Sequence, residues 1–124
     1  MKYFSYCCLV LVLAFSCKRK TPEQITIVDK AFLKEEVIGK PVQLIDVRTQ
    51  EEYDSGHIDD ALNFNIINNE TFLEQIETLD KNEPVFLYCK MGGRSNRAAQ
   101  LLKDQGFTKI YDYSGGYNDW VIDE

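Results

Sequence analysis

The stretch from Pro84 to Gln105 constrains this chain more than any other. Val85 to Tyr88 is an apolar run with the length and the β-branched or aromatic character of a buried strand. Ala98, Leu101, Leu102 and Gln105 then follow the 3–4 spacing of a helix, and Gly106 stands where a glycine ends one. Between strand and helix lie Cys89, Gly92, Gly93, Arg94 and Ser95. A tight glycine-containing turn from strand to helix points backbone N–H groups inward, at the positive end of the helix dipole. A cysteine heading such a turn has a lowered pKa, within the roughly 3.5–7.5 range of thiolates at helix N-termini and beside cations. The stretch therefore encodes an activated sulfur nucleophile in an anion cradle.

The rest of the chain alternates in the same manner. Ile25 to Val28 reads as a strand, and Asp29 caps a predicted helix running to Ile38 and ended by Gly39. Val42 to Val47 is a second buried strand, leading into Asp46-Val47-Arg48. Thr49 opens Thr-Gln-Glu-Glu, a capping box with Glu52 at its third helical position. Ala61 to Ile66 holds a third strand. Asn68 or Asn69 caps a helix with Phe72, Leu73, Ile76 and Leu79 on one stripe. Phe107 to Tyr111 reads as the fifth strand, Ser114-Gly115-Gly116 as a turn, and Tyr117 to Ile122 as a terminal helical turn. The alternation predicts an α/β fold: three layers, α/β/α, around a central five-stranded, mainly parallel sheet. Ligands of such sheets sit at the carboxyl ends of the strands. Asp46–Arg48 and Cys89 both lie there.

Length and charge narrow the function. At 124 residues the chain suits one compact domain, and 44% hydrophobic residues exclude a disordered one. A net charge of −6, with no basic run outside Lys18-Arg19-Lys20, argues against a nucleic-acid partner. His57 is the only histidine, so ligand count offers no metal site. Residues 1–17 are a separate object. Cys7 to Phe15 is an unbroken apolar run, too short for a membrane span of about 20 residues and suited to a signal peptide. Ala14-Phe15-Ser16-Cys17 resembles a bacterial lipoprotein cleavage box, which makes Cys17 the lipid-bearing residue. Residues 18–24 then form a linker and 25–124 the folded domain, exported to the periplasmic face of a bacterial membrane and held there by its lipid alone. The alternative is an uncleaved anchor, which Lys18-Arg19-Lys20 favours through their positive charge. On the export reading Cys89 is the sole thiol of the domain, without a disulfide partner.

Several motifs in order resemble the rhodanese-like domains. Asp46-Val47-Arg48, Glu52-Tyr53, Gly56-His57-Ile58, Ala61 and Asn63 look like their first signature. Cys89-Lys90-Met91-Gly92-Gly93-Arg94-Ser95 looks like their active-site loop, and Gly106-Phe107 with Gly115-Gly116-Tyr117-Asn118-Asp119-Trp120 like their closing pattern. The resemblance covers roughly residues 25–122, departing at Asp60, where the family usually carries glycine. It implies a five-stranded α/β/α fold and sulfur transfer through a persulfide on Cys89, with no other cofactor. The partners it implies are a small donor such as thiosulfate or a persulfide, and a thiol or protein acceptor. A monomer or weak dimer is expected.

That chemistry assigns roles. Cys89 attacks without a separate base. The N–H groups from Lys90 through Met91, Gly92 and Gly93 to Ser95 hold the anionic sulfur, and both glycines let the backbone turn with positive φ. Arg94 lowers the Cys89 pKa and holds an anionic donor. Ser95 caps the next helix or contacts the persulfide. Lys90 attracts anions at the rim or is simply solvated. Asp46 braces Arg94 or the loop, and Arg48 with Glu52 reads as an ion pair; the resemblance implies mainly structural roles for these. The rivals are a phosphatase or arsenate reductase, whose Cys and Arg are separated by five residues against four here, and a non-catalytic tethered module, which commonly loses the cysteine or the arginine.

Overall fold

The computed structural model describes residues 24–123. The predicted signal peptide, Cys17 and the linker up to residue 23 lie outside the described residues. Five strands form one sheet: β1 (Ile25–Val28), β2 (Gln43–Asp46), β3 (Leu62–Asn63), β4 (Val85–Tyr88) and β5 (Ile110–Tyr113). Their order is β1-β5-β4-β2-β3, and every pairing is parallel. β4 is central and wholly buried, which its uninterrupted Val-Phe-Leu-Tyr requires.

The helices are α1 (Lys30–Glu36), α2 (Gln50–Asp54), α3 (Asn69–Ile76), α4 (Gly93–Asp104) and α5 (Gly116–Trp120), followed by a 3-10 turn. Alternating strand residues build two cores. On one face Ile45, Val85, Leu87 and Ile110 pack under α3 and α4, through Phe72, Ile76, Ala98 and Leu102. On the other, Leu44, Phe86, Tyr88 and Tyr113 meet α1, α2 and α5 through Leu33, Tyr53, Tyr117 and Trp120. The three-layer α/β/α architecture is therefore as expected. Asp29 caps α1, the Thr49–Glu52 capping box opens α2, and Asn68 caps α3.

Three strands differ from their predicted bounds, β2 only by losing one residue at each end, to Gln43–Asp46. β3 is only Leu62–Asn63, because after it single bonds from Phe64 N–H to the Asp46 carbonyl and from Ile66 N–H to the Val47 carbonyl replace a regular ladder. β5 starts at Ile110, not Phe107. The Phe107 N–H donates to the Leu102 carbonyl, which ties it to the end of α4, and its ring plugs the core. The shift matters for the site, because it draws Asp112 into the sheet and sets Ser114-Gly115-Gly116 directly after it. At the residue-60 departure from the family pattern, Asp59 takes the positive φ, +45°, and its carboxylate accepts the Gly39 N–H at 2.9 Å. A short acidic side chain tolerates that conformation.

Candidate active site

β4 delivers Cys89 to the carboxyl edge of the sheet, and α4 begins four residues later. The thiol is 1% exposed. Its Sγ accepts the Gly92 N–H at 3.0 Å and lies 3.5 Å from the Ser95 hydroxyl. Burial alone would raise the Cys89 pKa; the Ser95 hydroxyl and the N–H groups of Ser95, Gly92 and Met91 outweigh it and hold the thiol below its ordinary value. Of the N–H groups expected around the sulfur, those of Met91, Gly92 and Ser95 lie against it.

Gly92 is the N-cap of α4 at φ +100°, a conformation that glycine adopts without strain. Gly93 does not share it, so only one of the two glycines turns the chain with positive φ. Ser95 does not cap the helix. α4 starts at Gly93 and has no side-chain cap, so Ser95 sits inside its first turn. Its hydroxyl is left to face Cys89 and to donate to the Gly92 carbonyl at 3.2 Å. Met91 is 72% exposed and Lys90 is exposed, which puts both side chains on the rim.

The charged residues pair differently from the expected scheme. Arg94 forks onto Glu52, with Nη1 to Oε1 at 2.6 Å and Nη2 to Oε2 at 3.0 Å. Glu52 is available because the capping box places it at the third position of α2, facing the start of α4. The Arg94 hydrogen bonds pull its carboxyl down to about 2. Arg48 instead folds back on Asp46, two residues earlier. Its Nη2 lies 2.6 Å from Oδ2, and both side chains are almost fully buried. Burial alone would lower the Arg48 pKa; the hydrogen bonds and attraction of Asp46 raise it above the usual value. Asp46 therefore braces the loop after β2 and does not touch Arg94.

Several further side chains support the site, of which the Tyr88 hydroxyl was not legible in the sequence. The Tyr88 hydroxyl donates to Asp46 at 2.8 Å and accepts the Ile58 N–H at 2.9 Å, tying β4 to the loop after α2. Tyr117 lies across the Arg48 guanidinium at 4.2 Å, and Trp120 packs edge-on to Tyr113. His57 stacks flat on Tyr53, with centroids 3.9 Å apart, on the exposed side of α2. A crevice of about 350 Å³ opens beside the loop, lined in part by Arg48, Glu52, Lys90 and Tyr117. Among the described residues, no cluster of three or more acidic, histidine or cysteine side chains could hold a metal.

The turn after β5 clamps the loop from behind. The Cys89 carbonyl accepts the Tyr117 N–H at 2.8 Å and the Lys90 carbonyl accepts the Asn118 N–H at 3.2 Å. Gly116 has φ +69°, and a Cβ there would sit 2.5–2.6 Å from the Lys90 and Cys89 carbonyls. Gly116→Ala therefore both strains the backbone, by roughly 1–2 kcal/mol, and pushes the loop off the sulfur. The variant is expected to melt earlier and to titrate Cys89 at a higher pH than wild type, read by thermal unfolding and by the pH dependence of alkylation.

The rhodanese-like domain family model matches residues 29–123 of the chain. The thiosulfate sulfurtransferase GlpE of Shewanella oneidensis is 38% identical over 82 residues, covering 66% of this chain and 78% of the relative. The protein of the same name from Coxiella burnetii is 35% identical over 81 residues, covering 65% and 73%. Among solved structures, the human single-domain sulfurtransferase TSTD1 superposes with a TM-score of 0.68 at 27% identity, over 79% of this chain and 96% of that one. The parallel sheet, the cysteine loop at its carboxyl edge and these matches agree: the chain belongs to the rhodanese-like domain family and is a rhodanese-like enzyme.

Proposed function

We propose that this chain moves a sulfane sulfur from a small anionic donor such as thiosulfate to a thiol or other thiophilic acceptor, by way of a persulfide on Cys89. The observation that carries the reading is the thiol itself. It is held below its ordinary pKa although buried, with Gly92 N–H 3.0 Å from the sulfur. The class of reaction is supported by the relatives named thiosulfate sulfurtransferase. In the first step the Cys89 thiolate attacks the outer sulfur of thiosulfate. A sulfur–sulfur bond forms, the bond to the sulfonate sulfur breaks, and sulfite leaves with the electron pair. In the second, an acceptor thiolate attacks the outer sulfur and Cys89 departs as thiolate. Neither step needs an external oxidant. The N–H groups around the sulfur stabilise the anion at both stages.

Intact mass of the full chain after incubation with thiosulfate tests this: one added sulfur is expected, and no adduct at any pH would leave only a binding module. The N-terminal part of the proposal is that Cys17 carries lipid and holds the domain at the periplasmic face, and the same spectrum reads that lipid.

Arg94 separates two effects. Its guanidinium is attracted to Cys89, but more weakly than to Glu52, and the thiol owes its lowered pKa to Ser95 and the amides. Arg94→Ala is therefore expected to slow loading from thiosulfate about tenfold, the size of one lost charge-assisted contact, while moving the alkylation midpoint little. Equal loss with an uncharged organic trisulfide donor would show that Arg94 acts by some route other than holding charge. The phosphatase reading predicts the opposite substrate class. Four residues between Cys89 and Arg94, where that class has five, shorten the loop by up to about 3.5 Å. The cradle then suits one sulfur atom and not a tetrahedral phosphate. No Cys89-dependent hydrolysis of p-nitrophenyl phosphate is expected.

A further inference from the structure

One buried carboxyl has no part in the steps above. Asp112 lies on β5 opposite Leu87, on the sheet face that α4 covers, and is 1% exposed. Neither of its carboxyl oxygens has a hydrogen-bond partner among the described residues. The side chain that acts on it is Ser95, which stops short of a hydrogen bond to it and donates to the Gly92 carbonyl instead. The same hydroxyl lies 3.5 Å from Cys89 Sγ. Asp112, Ser95 and Cys89 are thus consecutive in space, from the sheet interior to the reacting sulfur.

A bare carboxylate at such a place is costly, and a buried acid without a cationic partner takes up a proton instead. Burial does push Asp112 above the ordinary carboxylate range, with Ser95 pulling weakly the other way. A neutral carboxylic acid carries one O–H donor and seeks an acceptor. The Ser95 oxygen is the acceptor at hand. Ser95 has a single proton, and the state of the sulfur decides where it goes. With a thiol at Cys89, the S–H donates to Ser95 and the Ser95 proton stays on the Gly92 carbonyl. With a thiolate or persulfide, the sulfur needs that proton. The Gly92 carbonyl loses little, since it also accepts the Asn96 N–H at 3.1 Å.

We propose that Asp112 is a positioning residue for sulfur transfer: as a neutral acid it donates to Ser95 Oγ and so turns the Ser95 proton onto the anionic sulfur. No proton leaves Asp112 and no bond of it breaks; it selects one rotor of the serine. The inference rests on the sulfurtransferase reading for its meaning, but its first test does not need sulfur loading. Among the described residues no charged side chain acts on Asp112; facing Cys89 are the amides of Met91, Gly92 and Ser95, with Arg94 and its partner Glu52 beyond them.

The test uses the full-length chain. Asp112→Val removes the donor and fits a strand. It should raise the midpoint of Cys89 alkylation by about half a pH unit and slow persulfide loading roughly three- to tenfold, the scale of one hydrogen bond. Ser95→Ala should do the same, and the double variant no more than either, as expected of residues acting through one group. Asp112→Asn keeps an N–H donor without charge and should bring loading back to within about twofold of wild type. Carbon-13 NMR of the wild-type Asp112 carboxyl should show the protonated form at pH 7, a readout independent of how any variant folds. An ionised signal there, a lower alkylation midpoint in Asp112→Asn, or an unmoved one in Asp112→Val overturns the proposal. If wild type takes up no sulfur while Asp112→Val still moves the midpoint, the sulfurtransferase reading fails and the positioning role stands.

Discussion

Replacing Cys89 with serine is expected to reduce sulfur loading to background, with no added sulfur by intact mass, while the domain stays folded. The two outcomes have separate causes. A hydroxyl is a weak nucleophile without an adjacent base, and among the described residues no titratable base contacts this position: Sγ is met by an amide N–H and another hydroxyl. An oxygen at the same place also cannot form the sulfur–sulfur bond. The fold loses little, since the serine oxygen can keep the contacts with Gly92 N–H and Ser95 and is not left as an unsatisfied buried hydroxyl. Loading that persists in Cys89→Ser would place the carried sulfur elsewhere.

The largest effect on stability is expected at Asp46, which touches no substrate. Its carboxylate accepts the Arg48 N–H at 2.9 Å, Arg48 Nε at 3.0 Å and Nη2 at 2.6 Å, and the Tyr88 hydroxyl at 2.8 Å. Arg48 is 3% exposed. Asp46→Ala therefore strands a buried guanidinium and a buried phenol, although Arg48 keeps the Gly56 carbonyl at 2.7 Å. Breaking a buried pair from one side costs about 3–5 kcal/mol. For a domain of this size that lowers the melting temperature by at least about 12 °C. Removing both ends behaves differently: Asp46→Leu with Arg48→Met leaves no orphaned charge and should recover most of the loss, because apolar packing is often as stable as a buried ion pair or more so. Melting curves of the single and double variants decide it. A double variant as unstable as the single would show that the carboxylate acts through Tyr88 and the backbone, not through Arg48.

How far the sequence could be read follows the reach of the forces involved. The strand β4, the body and end of the helix α4, the Thr49–Glu52 capping box and the Asn68 cap depend on neighbours within a few residues, and each stands where its local pattern puts it. Cys89 at the head of the turn was legible for the same reason. The pairing of charges was not. Arg48 and Glu52 are four residues apart and invite an ion pair, yet Glu52 meets Arg94 across 42 residues, and Arg48 turns inward to Asp46. Spacing along a chain says which partners are possible, while burial decides which are taken. Arg48 sits under Tyr117, where only a fully bonded guanidinium is tolerated.

The same division holds for the reacting sulfur. Alternating apolar runs and helical stripes determine by themselves a parallel sheet with a cysteine loop at its carboxyl edge, because hydrophobic period and turn chemistry are written locally. The start of β5, the inner place of Ser95 and the lone carboxyl of Asp112 were settled only when α4 packed onto the sheet. What a polar side chain does there depends on which other groups share its dry space, and those arrive from distant parts of the chain.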